Sequence, residues 1–189
     1  MDISTITEAF SDVTIQSPTV GVMLAGLLAV ALVFLSAFAS GSEIAFFSLS
    51  PSDVAELEDG KNPSDRKIQM LREDSERTLA TILITNNFVN VMIVMLLSNI
   101  FVSIVKFGPK AYWLEFLIMT VFLTFLLLLF GEIMPKVYCR QNPLRFCRRC
   151  VDAILFARKI FWPIETILLK SGMLAEKVMK KENHVLSVD

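Results

Sequence analysis

Residues 79–105 read LATILITNNFVNVMIVMLLSNIFVSIV and contain no charged side chain. A helix of about 20 apolar residues crosses the hydrocarbon core of a bilayer, so this stretch is long enough to span a membrane. Residues 20–39 and 116–131 have the same character. Hydrophobic residues make up 54% of the chain, more than the roughly 45–50% of soluble domains. The pattern predicts an all-α membrane protein with three spanning helices.

The first apolar stretch also resembles the core of a secretory signal peptide. Signal peptides begin with a positively charged region, whereas residues 1–19 contain no Lys or Arg and carry Asp2, Glu8 and Asp12. Two further apolar stretches follow without a soluble domain between them. We therefore expect residues 20–39 to remain in the protein as a span.

Basic residues set the expected orientation. They are absent from residues 1–18 and frequent after the third stretch, at Lys136, Arg140, Arg145, Arg148, Arg149, Arg158 and Lys159. Because Lys and Arg concentrate on the cytoplasmic side, residues 1–18 are expected outside and the carboxyl end inside. Three spans satisfy this arrangement. The expected location is the plasma membrane, which is the inner membrane in a bacterium.

A charged elbow at residues 50–77 joins the first and second spans. Pro51 directly after Ser50, with Asp53 in the first turn, predicts the start of a helix. Gly60 and the pair Asn62-Pro63 predict its end. A second short helix is expected over residues 64–76. We assign residues 19–138, including this elbow, to one three-span domain.

Residues 139–181 form a different kind of segment. Asn142-Pro143 is expected to end the helix of the third span. Apolar residues then recur at helical spacing among basic ones, which suits a helix lying in the membrane interface against lipid. A fourth span is disfavoured by Asp152, Arg158, Lys159, Pro163 and Glu165. We expect a juxtamembrane helical belt over residues 139–181.

Polar residues within the apolar stretches form three groups. Ser36 and Ser40 are four residues apart, as are Asn86 and Asn90, so each pair lies on one face of its helix. Gly131-Glu132 ends the third stretch. In the expected orientation all three groups lie in the cytoplasmic half of the bilayer, which favours one shared site. Their oxygens are hard ligands that suit magnesium or sodium.

Glycine and proline near these groups are expected to interrupt two helices, at Ser40-Gly41-Ser42 and at Gly131-Glu132-Ile133-Met134-Pro135. Pro135 lacks a backbone N–H, so it removes the hydrogen bond that the Gly131 carbonyl would normally accept. Broken helices with freed carbonyls are common ion sites in transporters. A carbonyl ligand is therefore expected at Gly131.

Each polar residue also has a purely structural interpretation. Serines in membrane helices often allow close packing, and asparagines often form hydrogen bonds between helices. Packing is favoured for Ser36 taken alone, while Ser40 is evenly balanced between packing and ion binding. Function is favoured for Asn90 and for Glu132, because a carboxylate at that depth needs a partner.

Other chemistry finds little support in the sequence. Cys147-Arg148-Arg149-Cys150 has the spacing of metal ligands, but there is no second pair and His184 is the only histidine. A structural zinc site needs four ligands, so we expect ordinary cysteines. No acid–base or nucleophile constellation indicates an enzyme, and we expect no nucleic-acid partner.

Three ordered motifs resemble the transmembrane domain of the CorC and cyclin M family, also described as hemolysin-related. They are FASGSEIAFFSL at residues 38–49, LITNNFVNV at residues 83–91 and GEIMPK at residues 131–136. The resemblance implies magnesium transport, generally viewed as export driven by sodium entry, by a homodimer with three spans per subunit. It implies ion-binding roles for Ser40, Asn90, Gly131 and Glu132, with Ser36 as a possible neighbour.

The resemblance also bears on the carboxyl end. Family members usually continue into paired cystathionine-beta-synthase domains that bind nucleotide, so we expect residues 182–189 to begin the linker to such domains. Two other functions stay open at this point. The chain could be a membrane sensor or scaffold without ion flux, or it could transport another cation such as sodium, cobalt or manganese.

Overall fold

The computed structural model describes residues 13–108 and 111–186, with side chains described as far as Ser171. Three helices in it are long and apolar enough to cross a membrane: α1 over Val20–Phe47, α4 over Ser75–Ile104, and a continuous helical segment over Tyr112–Gln141. The predicted all-α architecture with three spans is confirmed. Each helix extends beyond its uncharged stretch, and the chain is a multi-pass membrane protein.

Two physical requirements explain these three helices. No water reaches the hydrocarbon core, so the backbone must satisfy its own hydrogen bonds, and a helix does so within one segment. Large apolar side chains cover the outer surfaces of the spans, where lipid replaces water as the solvent. Examples are Met23, Leu24, Leu27, Phe34, Met95, Phe116, Val121 and Phe125.

Shorter elements connect and extend the spans. They are α2 (Pro51–Glu58), α3 (Asp65–Glu73), α5 (Tyr112–Leu126), a π-helix (Leu127–Ile133), α6 (Met134–Gln141) and α7 (Pro143–Leu186). Only Asn142 separates α6 from α7, so the predicted helix end at Asn142-Pro143 is confirmed. Helix α7 continues to Leu186 and so enters the range 182–189 that we assigned to a linker.

The predicted helix interruption at Ser40-Gly41-Ser42 is wrong, because α1 passes through these residues without a break. Glycine within a helix costs about 1 kcal/mol relative to alanine, but breaking the helix in lipid would leave several backbone groups unpaired. The third span does not break at Gly131 either. It widens there into the π-helix, in which the N–H of Met134 donates to the carbonyl of Leu129.

Two short strands were not predicted. β1 (Thr14–Ile15) pairs in antiparallel fashion with β2 (Val105–Lys106), so that Thr14 lies opposite Lys106. Strands of two residues are too short to show an alternating pattern. The pairing joins the described part of the segment 1–18 to the end of α4. Residues 1–12 of that segment, and Pro109 and Lys110 of the next loop, lie outside the described residues.

The chain divides into two compact units. The first comprises Met1–Gly41 and Asn86–Tyr138, and the second comprises Ser42–Thr85 and Cys139–Asp189. Most of each spanning helix's apolar length therefore lies in the first unit. The elbow and the belt helix α7 share the second unit.

Local signals position the elbow helices of the second unit. The Ser50 hydroxyl accepts a hydrogen bond from the Asp53 N–H at 3.2 Å, and the Asp53 carboxylate accepts one from the Ser50 N–H at 2.9 Å. This reciprocal cap, with Pro51 in the first turn, confirms the predicted helix start. Gly60 has a φ of +63° and follows the end of α2.

Arg148 on α7 holds the two elbow helices. Its Nε lies 2.8 Å from Asp65 Oδ1, its Nη2 lies 3.1 Å from Asp65 Oδ2, and its Nη1 lies 2.8 Å from Glu56 Oε1. Asp65 is fully buried. The hydrogen bond from Arg148 lowers the pKa of the Asp65 carboxyl. The ionised pair therefore contributes stability at neutral pH, and this contribution is lost only as the pH falls through the lowered pKa.

Removing the Arg148 guanidinium tests the importance of this ion pair. Arg148→Met leaves Asp65 buried without a cation, and we expect it to destabilise the protein by about 3 kcal/mol. Lys61→Met is the matched control, because Lys61 pairs with Asp59 at an exposed position, where solvent screens the pair, and its loss should be much smaller. Thermal unfolding in detergent measures both. Equal losses would contradict the assigned role of Arg148.

Candidate cation site

Ser36 lies at the centre of a polar cluster formed by the three spanning helices within the first unit. Its hydroxyl on α1 is 2.6 Å from Asn90 Oδ1 and 3.1 Å from Asn86 Oδ1, both on α4. The Ser36 side chain is fully buried. Apolar residues adjoin the cluster, with Leu32, Val89 and Ile93 buried against one another. The fully buried hydroxyl and the two partly buried amides are therefore held together beside an apolar cluster.

The cluster presents more hydrogen-bond acceptors than protons. Ser36 has one hydroxyl proton, and the amide oxygens of Asn86 and Asn90 both point toward it. Such a convergence of neutral oxygens suits a cation. If the Asn86 amide rotates by 180°, however, its NH₂ group donates to Ser36 and the cluster satisfies itself. The same residues thus fit both an ion site and an interhelical hydrogen-bond network.

Gly131 brings the third span against this cluster. A Cβ atom at this position would lie 3.1 Å from the Ser36 hydroxyl oxygen, which is closer than ordinary van der Waals contact. Gly131 is buried and belongs to the π-helix, a feature that often occurs at functional sites. In the i→i+5 register of a π-helix, residue 135 would serve the carbonyl of Phe130. Pro135 would leave the Gly131 carbonyl free only in the α-helical register that was expected from the sequence.

Ser40 lies one turn beyond Ser36 on α1 and is also fully buried. Its hydroxyl oxygen has no hydrogen-bond partner among the described residues. A buried hydroxyl without a partner costs about 1–3 kcal/mol, so most such groups in native proteins bind water, an ion or a neighbouring group. This orphan oxygen is the observation that points most directly to a ligand.

Glu132 has a different environment from the one predicted. Its side chain is 45% exposed, and its Oε1 lies 3.1 Å from the Nζ of Lys136, one helical turn later. The spacing i,i+4 is a recognisable signal for such a pair, which the sequence analysis did not use. Lys136 therefore supplies a positive charge to the carboxylate that was expected to need one.

Two asparagine assignments are refined by the geometry. Asn86 contacts Ser36, whereas Asn87 is exposed. Ser36, expected only as a neighbour of the site, is the residue that directly links Asn90 with Gly131. Four predicted positions, Ser36, Ser40, Asn90 and Gly131, are thus buried or partly buried in the first unit. Glu132 follows Gly131 but is half exposed.

Comparison with known proteins agrees with the three-helix architecture. Residues 27–189 match the family described as the cyclin M transmembrane N-terminal domain. The chain belongs to this family. Metal transporter cnnm-4 of Caenorhabditis elegans is 30% identical to this chain over 154 residues, which cover 79% of this chain and 31% of the relative.

Other relatives carry less specific names. A putative DUF21 domain-containing chloroplastic protein of Arabidopsis thaliana is 32% identical over 154 residues, covering 82% of this chain and 22% of its own. A UPF0053 protein of Haemophilus influenzae is 30% identical over 130 residues, covering 69% of this chain and 30% of its own. The cyclin M domain thus spans less than a third of the length of these relatives.

The close approach of Gly131 to Ser36 can be tested by adding a methyl group. Gly131→Ala places a Cβ against the Ser36 hydroxyl, and we expect a loss of about 1–3 kcal/mol of stability. Gly26→Ala is the matched control, because a Cβ there meets no atom within 4 Å. Thermal unfolding should show a lower transition temperature for Gly131→Ala only.

A second substitution separates crowding from other effects of alanine at this position. In the double variant Ser36→Ala with Gly131→Ala, the hydroxyl oxygen is gone and the nearest atom is the residue 36 Cβ at 3.8 Å. The added cost of Gly131→Ala should therefore largely disappear in the Ser36→Ala background. An undiminished cost would contradict the contact between Gly131 and Ser36.

Proposed function

We propose that this cyclin M domain transports a divalent cation across the membrane, with magnesium as the substrate, through the cluster around Ser36. The observation that carries the proposal is the buried Ser40 hydroxyl, which lacks a partner in the described part of the chain and lies one turn from the converging oxygens of Ser36 and Asn90. The name of the Caenorhabditis elegans relative, a metal transporter, supports the same class of function.

The chemistry of the ligands favours magnesium among divalent metals. The cluster offers the hydroxyls of Ser36 and Ser40, the amide oxygen of Asn90 and the backbone at Gly131, with the Glu132 carboxylate adjacent in sequence. These are hard oxygen ligands, and neither thiolate nor imidazole is among them. Neighbouring ligands of an octahedral magnesium at about 2.1 Å lie roughly 3.0 Å apart. The Ser36 hydroxyl lies 2.6 Å from Asn90 and 3.1 Å from Asn86.

A cation would also change the pairing of Glu132. The carboxylate now contacts Lys136, and a divalent ion at the cluster would compete with that ammonium for the same oxygen. Four neutral ligands and one carboxylate leave room for retained water, which magnesium releases reluctantly. We further propose a homodimer that exports magnesium as sodium enters. It would lie in the plasma membrane, with the amino terminus outside the cell and the carboxyl terminus in the cytoplasm.

One observation favours a second candidate, a membrane scaffold or ion sensor without flux. Ser36, Asn86 and Asn90 already form hydrogen bonds between α1 and α4, and such bonds assemble membrane helices without any ion. In this case the cluster would stabilise the bundle, and ion binding would at most alter its interactions with a partner.

Magnesium flux distinguishes the two candidates. Proteoliposomes containing the protein, loaded with a magnesium-sensitive dye, are assayed with and without an opposing sodium gradient. We expect sodium-dependent flux in the wild type and its loss in Glu132→Gln, which removes the carboxylate of the proposed site. Glu115→Gln, a carboxylate in the first turn of α5, is the control and should retain flux. Magnesium binding without flux would support the sensor.

Ser40 offers a test that separates ligand binding from structure. If the hydroxyl serves the cation, Ser40→Ala should weaken magnesium binding about tenfold. It should leave stability without magnesium unchanged or slightly raised, because it removes an unsatisfied buried polar group. Calorimetric titration and thermal unfolding measure the two effects. Unchanged affinity in a folded Ser40→Ala protein would remove Ser40 from the site.

A further inference from the structure

Arg72 differs from the other half-buried arginines of the second unit. Arg77, Arg148 and Arg158 each lie within 4 Å of a carboxylate oxygen, on Asp74, Asp65 or Glu56. Arg72 is half-buried like them, but it forms neither an ion pair nor a hydrogen bond with the described residues. A guanidinium is always charged, so Arg72 offers an uncompensated positive charge to an anion.

The Arg72 side chain lines a cavity of about 260 Å³. Ser75 and Thr78, at the beginning of α4, provide hydroxyl groups in its wall. Thr78 donates its proton to the Leu71 carbonyl at 2.7 Å, whereas the Ser75 hydroxyl makes no hydrogen bond with the described residues. The residues lining the cavity include no Asp or Glu. The polar wall therefore offers donors and positive charge, which suit an anion.

The apolar lining of the cavity comes mostly from the end of the first span, with Leu71 of α3. Phe46 and Phe47 are the last residues of α1, and Leu49 follows them. Phe47 remains 51% exposed. The end of the first span and the start of the second lie on the same side of the membrane, because consecutive spans are joined there. The cavity thus lies at the membrane surface, where a lipid phosphate and its acyl chains meet.

From these observations we infer that the cavity binds the phosphate of an anionic phospholipid, with Arg72 and Ser75 contacting the phosphate and Phe46, Phe47 and Leu49 contacting the glycerol and acyl region. Arginine presents a planar pair of donors that matches phosphate oxygens. The volume lies below the roughly 300–1,000 Å³ of sites for drug-sized molecules and suits a phosphate headgroup, with the acyl chains of the lipid extending outside the cavity. The inference is independent of cation transport.

The test compares two arginines of the same helix. Arg66 and Arg72 both lie on α3, and neither forms an ion pair with the residues that the structure describes, but Arg66 is exposed. The purified protein is titrated with phosphatidylglycerol or phosphatidylcholine in detergent, and retained lipid is counted by native mass spectrometry. We expect the wild type to prefer phosphatidylglycerol. Arg72→Gln should weaken that binding about tenfold, and Arg66→Gln should leave it nearly unchanged.

Three results would overturn the inference. They are equal retention of the two lipids by the wild type, equal losses in Arg66→Gln and Arg72→Gln, and displacement of the lipid by inorganic phosphate alone. Thermal unfolding in detergent with added phosphatidylcholine confirms that each variant is folded. Should Arg72→Gln fail to fold, Ser75→Ala at its exposed position is expected to weaken phosphatidylglycerol binding several-fold, and unchanged binding would count equally against the site. Glu132→Gln, which alters the proposed cation site, should retain the lipid.

Discussion

The hydrogen bond between the Ser36 hydroxyl and the Asn90 amide is the interaction on which the three-helix unit depends. Its two residues lie in helices that otherwise meet lipid with apolar side chains, and no water is present at that depth to replace either partner. The 2.6 Å distance fixes α1 against α4. Gly131 then allows the third span to approach the same hydroxyl, so one polar contact sets the separation of three helices.

The spans were predictable because their signal is local. An uncharged apolar stretch of sufficient length must place its side chains inside the protein or against lipid, whatever the rest of the fold. Composition alone therefore identifies it. The cap at Ser50, with its proline and aspartate, is local in the same sense. The π-helix is different. Gly131 and Pro135 suggest an irregularity, but whether the helix breaks or widens depends on what lies beside it, and here that neighbour is Ser36 on another helix.

The candidate site was predicted in part for a related reason. Helical spacing placed Ser36 with Ser40 and Asn86 with Asn90, but spacing does not say which residue of each pair contacts another helix. The structure gives Ser36 the contacts and leaves the Ser40 hydroxyl without a partner among the described residues. Likewise, the sequence shows that the elbow is charged but does not show which charged residues form ion pairs. Arg148 and Asp65 are 83 residues apart, and no local pattern indicates that they meet.

The hydrogen-bonded pair Ser36 and Asn90 and the unpaired Ser40 hydroxyl have different energetic requirements for binding a ligand. A cation bound by Ser36 and Asn90 must end their hydrogen bond, which contributes only about 0.5–1.5 kcal/mol net. The Ser40 hydroxyl has no such bond to lose, so its interaction with a cation carries no corresponding cost. A network in which one member is unsatisfied is less stable than a fully satisfied one. Among the described residues the helices leave the Ser40 oxygen unpaired. A ligand that contacts Ser40 would therefore replace no existing hydrogen bond, whereas a ligand that contacts Ser36 or Asn90 would.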